Sequence, residues 1–114
     1  MTTVYGIKNC DTVKKALKWL ENNAVTFQFH DLRQDGIESA DLKQWIDSVG
    51  WETLLNRRST TWRQLGERDK NDIDTNKAIS LMLDNPTLIK RPVITRGKTV
   101  LVGFKETEYQ KTLG

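Results

Sequence analysis

The chain has 114 residues, which suits one domain able to bury a core and leaves no room for two full ones. Hydrophobic residues make up 37% and charged residues 29%, well outside the low-hydrophobicity, high-charge range of chains that stay disordered. The 18 basic and 15 acidic side chains leave a formal charge of only +3, scattered rather than gathered into a tract, so direct nucleic-acid binding is not expected.

Thr3-Val4-Tyr5-Gly6-Ile7 is rich in β-formers and runs into a turn-like Lys8-Asn9-Cys10-Asp11-Thr12, which predicts a strand followed by a turn. Val13, Ala16, Leu17 and Leu20 then recur at i, i+3, i+4 and i+7, the stripe of an amphipathic helix that stops at Asn22-Asn23. Residues 25–30 alternate with the period of a strand, so the opening third reads β-α-β and allows a parallel pair joined by a right-handed crossover. Leu42, Trp45, Ile46 and Val49 mark a second helix, entered through Ser39 as N-cap and left at Gly50. Residues 51–55 and 62–65 are too short to assign alone. Ile79, Met82 and Leu83 mark a further helix that must end before Asn85-Pro86. Residues 92–95 and 99–102 flank Arg96-Gly97-Lys98 and predict a hairpin, and a helix over residues 106–113 closes the chain. The order β-α-β, helical insert, β-β-α predicts an α/β sheet flanked by helices.

A single cysteine cannot close an internal disulfide, and no signal-like start or membrane-length apolar run is present, so a reducing, cytoplasmic address without membrane association is expected. Any redox or nucleophilic chemistry is expected to centre on Cys10. Placed just before a helix, it can receive backbone N–H groups and the positive end of the helix dipole, both of which favour thiolate. Lys8, Lys14 and Lys15 add positive potential, whereas Asp11 opposes ionisation unless it turns toward the helix start. An inert buried thiol is the plain alternative. Lys90-Arg91-Pro92-Val93 sets two cations before a proline at a strand start, where a cis peptide can hold an exposed turn; an ordinary surface turn is the other reading. Arg57-Arg58-Ser59-Thr60 offers guanidinium forks to a carboxylate or oxyanion, or forms a solvated face. His30, the only histidine, cannot build a metal site alone and is expected to end a strand or bond a backbone carbonyl. The 4 tryptophans, Trp19, Trp45, Trp51 and Trp62, read as core or rim packing.

Taken together, residues 5–12, residues 54–62 and Ile89-Lys90-Arg91-Pro92 resemble the arsenate-reductase-like (ArsC/Spx) family over nearly the whole chain, with the YffB group the most similar within it. The resemblance implies a thioredoxin-like mixed sheet with a helical insert. One domain would span 1–114, with thioredoxin-type parts at about 1–36 and 87–114 and the insert at about 37–86. It further implies that Cys10 is the redox nucleophile, that Arg91 binds an anion or holds the thiolate, and that Pro92 is cis and faces Cys10. Arg58, Arg57 and Lys8 are further candidates for substrate binding. Val13 stands where Spx and thioredoxins carry a second cysteine, so a mixed disulfide would be resolved by another molecule. The leading expectation is a monothiol reductase with glutathione as co-substrate, no permanently bound cofactor or metal, and a monomeric state. The alternative is an Spx-like module docking on RNA polymerase or another protein. Arsenate reduction stands third, because the resemblance sets Gly103 where the glutaredoxin-dependent arsenate reductases carry an arginine in the last strand, and sets their mid-chain arginine on or beside Asn56 rather than squarely on Arg58.

Overall fold

The computed structural model describes residues 2–114. The described residues up to Gly36, together with Arg91–Gly114, form one compact unit, and Ile37–Lys90 form another. In the first unit, β1 (Thr2–Gly6), β2 (Phe27–Asp31), β3 (Val93–Arg96) and β4 (Thr99–Val102) make a 4-stranded mixed sheet in the order β2-β1-β3-β4. β1 runs parallel to β2, with Val4 opposite Phe29, and antiparallel to β3, with Val4 opposite Ile94. A parallel pair needs a long crossover, and α1 (Asp11–Asn22) supplies it. β3 and β4 form the predicted hairpin, turning through Gly97 at a φ of 59°.

The predicted stripe of α1 buries Val13, Ala16 and Leu20, whereas Leu17 stays half-buried beside the core. Val4, Ala16, Leu20, Ile94, Leu113 and Tyr109 form that core, Tyr109 coming from the C-terminal helix α7 (Glu106–Thr112). The Tyr109 hydroxyl donates to the Gly103 carbonyl at 2.6 Å, and burial pushes its pKa far up, so it remains a donor. Its ring meets Trp19 edge-on at 5.4 Å and Phe104 at 5.1 Å. β2 starts at Phe27 rather than at the predicted residue 25, because the end of α1 holds on to the intervening backbone. The Ala24 N–H donates to the Glu21 carbonyl at 3.2 Å and the Val25 N–H to the Leu20 carbonyl at 2.9 Å. These two bonds make a Schellman closure with Ala24 at a φ of 56°, where glycine is the usual residue.

The second unit is helical: α2 (Ser39–Val49), α3 (Trp51–Leu54), α4 (Thr60–Gln64), α5 (Glu67–Lys70), α6 (Thr75–Asp84) and a 3-10 turn over Pro86–Leu88. Ser39, expected as the N-cap of α2, is its first helical residue; Glu38 takes the cap position without a side-chain hydrogen bond. Side-chain caps instead come from Ser59, which accepts the Trp62 N–H at 3.1 Å, and Asp74, which accepts the Lys77 N–H at 2.8 Å. Leu42, Trp45, Leu54, Leu55, Met82, Leu88 and Ile89 are all buried. An antiparallel bridge joins Leu55 to Ile89, with the Asn56 N–H on the Leu88 carbonyl at 2.7 Å and the Lys90 N–H on the Leu54 carbonyl at 2.8 Å. Among the described residues, no helix is long and apolar enough to cross a membrane.

Candidate functional site

The turn between β1 and α1 is tight because Gly6 lies against the helix. A Cβ added there would stand 2.9 Å from Val13 Cγ2, closer than real side chains come. The Cys10 N–H donates to the Ile7 carbonyl at 3.2 Å, and the Cys10 carbonyl accepts the Lys14 N–H at 3.0 Å as the first bond of the helix. Cys10 is therefore the N-cap residue of α1, in extended conformation at φ −104° and ψ 122°. It is a free, half-buried thiol. Val13, three positions on, is fully buried.

The Arg91-Pro92 peptide bond is cis. Pro92 is buried immediately before β3, and its carbonyl accepts the Gly103 N–H at 2.9 Å. Arg91 hydrogen-bonds the Cys10 sulfur, so the structure brings Cys10 and the Arg91-Pro92 turn together. Burial pushes the Cys10 thiol up. The Val13 N–H at the helix start, the Arg91 hydrogen bond and charge, and the Thr12 N–H together outweigh burial and hold the pKa below that of an ordinary thiol. The two N–H groups act as helix-start dipoles, for the sulfur makes no geometrically defined capping hydrogen bond. The cation at the sulfur is Arg91, the residue to which the family resemblance pointed, rather than the nearby lysines.

Lys8 is exposed in the turn, and its charge acts on Asp31 at the end of β2. The Asp31 carboxylate accepts the Arg33 N–H at 2.8 Å and the Gln34 N–H at 3.0 Å, closing the loop beside the turn. The His30 Nε2–H donates to the Gly36 carbonyl at 2.7 Å and the ring packs at 4.9 Å against the Tyr5 ring, so His30 serves the fold as expected. Among the described residues, no group of three or more His, Cys, Asp or Glu side chains is arranged to hold a metal ion.

Arg57 and Arg58 line a cavity of about 430 Å³ in the helical unit, with Glu52, Leu55, Asn56 and Lys90. The Arg57 guanidinium lies 5.4 Å from the Trp51 ring centroid, and the Asn56 side-chain oxygen accepts the Arg58 N–H at 3.1 Å. Three cations against one carboxylate suit an anion there. Lys90 was not singled out as a ligand from the sequence, because it reaches this cavity through the Leu55–Ile89 bridge, a long-range pairing without a local signal. Gly103 adopts a φ of 80°, a conformation that an arginine would occupy only under strain.

The model of the ArsC family matches residues 5–112. The chain is 54% identical to an uncharacterized protein of Haemophilus influenzae, over 96% of each. It is 30% identical to the global transcriptional regulator Spx 2 of Lactococcus lactis, over 99% of this chain and 86% of the relative. Among solved structures, a protein described as YFFB is 47% identical and superposes over 100% of both chains with a TM-score of 0.97. The mixed sheet with its helical insert is the thioredoxin-like arrangement of these relatives, as the sequence led us to expect.

Proposed function

Because the chain belongs to the ArsC family, we propose that it is a monothiol thiol-disulfide reductase that works through Cys10 with glutathione as its reductant. The observation that carries this reading is the Arg91 guanidinium on a half-buried Cys10 sulfur at a helix start, which holds the thiol below the ordinary pKa and so enlarges its thiolate share. The thiolate attacks the glutathione sulfur of a mixed disulfide, forming a Cys10–glutathione disulfide and expelling the substrate thiolate, which takes up a proton. A second glutathione thiolate then attacks the glutathione sulfur of that adduct, giving glutathione disulfide and restoring the Cys10 thiolate. The substrate gains two electrons, and the glutathione pool supplies them. Arg91 serves to steady the thiolate, the Pro92 turn shapes the wall beside it, and Arg58, Arg57 and Lys8 are offered as partners for glutathione carboxylates.

Turnover of a glutathionylated peptide by the parent chain with added glutathione, and its loss in Cys10→Ser, is the expected result. A parent rate no faster than glutathione alone would remove the reductase reading. A second reading is favoured by the Spx relatives, which are named as transcriptional regulators. In that reading the same fold docks on RNA polymerase, and purified polymerase retained on the immobilised chain would support it.

A further inference from the structure

α1 carries a second stripe beside the one it buries. Lys15, Lys18, Trp19 and Asn22 fall at i, i+3, i+4 and i+7, so they share one face of the helix. With Phe104 and Glu106 they line a cleft of about 260 Å³ within the sheet unit. Trp19 and Phe104 pack against the core on one side and stay half-buried, leaving apolar ring surface on a face otherwise made of exposed polar side chains. Both rings stand edge-on to Tyr109, which is fully buried and anchored by its hydroxyl on Gly103. The aromatic walls are thereby set before any ligand arrives, and preformed walls lower the ordering cost of binding. The two ammonium groups of Lys15 and Lys18 stand on the α1 side of the cleft and the Glu106 carboxylate on the α7 side. Trp19 lies roughly 13 Å along the helix from Cys10, at ~1.5 Å rise per residue, so the cleft is separate from the thiol.

We propose that this cleft between Trp19 and Phe104 is a binding site for a small aromatic carboxylate, its flat apolar body held between the rings and its anionic end turned to Lys15 and Lys18. The volume fits one or two fused rings and not a larger cofactor. Two cations against one carboxylate favour a single negative charge, and Glu106 sets the orientation by repelling that charge from α7.

The probe is 2-naphthoate, titrated into the full chain and followed by amide and indole resonances in two-dimensional NMR. Saturable shifts confined to Trp19, Phe104 and their neighbours are expected. Replacing Lys15 and Lys18 together by Gln should weaken binding about fivefold, the effect of two solvent-exposed ion pairs. Glu106→Gln should tighten it, and uncharged 2-naphthalenemethanol should bind all three proteins alike. These are exposed side chains, so folding is not at stake. Cys10→Ser should bind naphthoate as the parent does; loss there would move the ligand to the thiol and overturn the proposal. Shifts spread over the surface, equal binding by the lysine variant, or weaker binding by Glu106→Gln would also overturn it.

Discussion

Replacing Arg91 by Ala should raise the Cys10 pKa and slow its reaction at neutral pH. Arg91 acts on the sulfur both by a hydrogen bond and by its charge. Unit charges ~4 Å apart attract by ~1 kcal/mol in water and by ~4 kcal/mol at an effective dielectric of ~20. Cys10 is half-exposed, so solvent screening puts the interaction near the aqueous end. A loss of about 1.4 kcal/mol leaves tenfold less thiolate below the midpoint. The thiolate that remains is more basic and so more nucleophilic, by about threefold at a Brønsted slope of ~0.45, and the net slowing is about three- to fourfold. Iodoacetamide alkylation followed from acid to alkaline pH separates the two effects: Arg91→Ala should be slower at neutral pH, faster on the alkaline plateau, and shifted upward in midpoint. Arg91→Lys keeps the charge but loses the planar fork and should fall between the two. An unchanged midpoint in Arg91→Ala would refute the assignment of the cation and leave the helix start as the only source of the lowered pKa.

Gly6→Ala should destabilise the chain by about 1–3 kcal/mol in urea unfolding, because the new methyl meets the wholly buried Val13 at 2.9 Å. Ala24→Gly should do the opposite, raising stability by about 0.5–1 kcal/mol in the same assay, since the Schellman closure holds residue 24 at a φ of 56°. The Gln34 N–H above all, with burial opposing it and the Arg33 N–H, Lys8 and Arg33 assisting, holds the Asp31 carboxyl below the usual range. The stability it contributes is fully present above its unfolded pKa of ~3.9 and is lost as pH falls through the lower folded value. Thermal unfolding against pH should therefore show the parent's advantage over Asp31→Asn shrinking only in that acid window.

The parts of this fold that were legible in the sequence are those set by local periodicity. The Val13, Ala16 and Leu20 stripe, the hairpin around Gly97 and the exit at Gly50 follow from side-chain spacing or from one residue's backbone freedom. The sequence was silent where one turn of helix buries nothing, as in α4 and α5, since a stripe needs two turns to declare itself. It misplaced the start of β2 because the Leu20 and Glu21 carbonyls draw in the backbone of Val25 and Ala24, an effect of hydrogen bonding rather than of residue type. At the site, Cys10 before a helix could be read directly. The partnership with Arg91 joins residues far apart in sequence and rests on the pairing of β1 with β3, which no local pattern encodes. Lys8 shows the converse: it is a near neighbour of Cys10 in sequence, yet its charge acts on Asp31.

A valine rather than a cysteine three residues beyond Cys10 decides how such a thiol answers its surroundings. Valine supplies no sulfur there and Cys10 is the chain's one cysteine, so Cys10 exchanges alone with any pool of small thiols. Each capping event then uses one small disulfide and returns one small thiol, and the capped fraction follows the plain ratio of the two. Diluting the pool at constant ratio leaves that fraction where it was. A paired dithiol releases two thiols as it closes its own disulfide, so its oxidised fraction rises on dilution. A lone Cys10 therefore reports the pool's proportion and is blind to its total concentration.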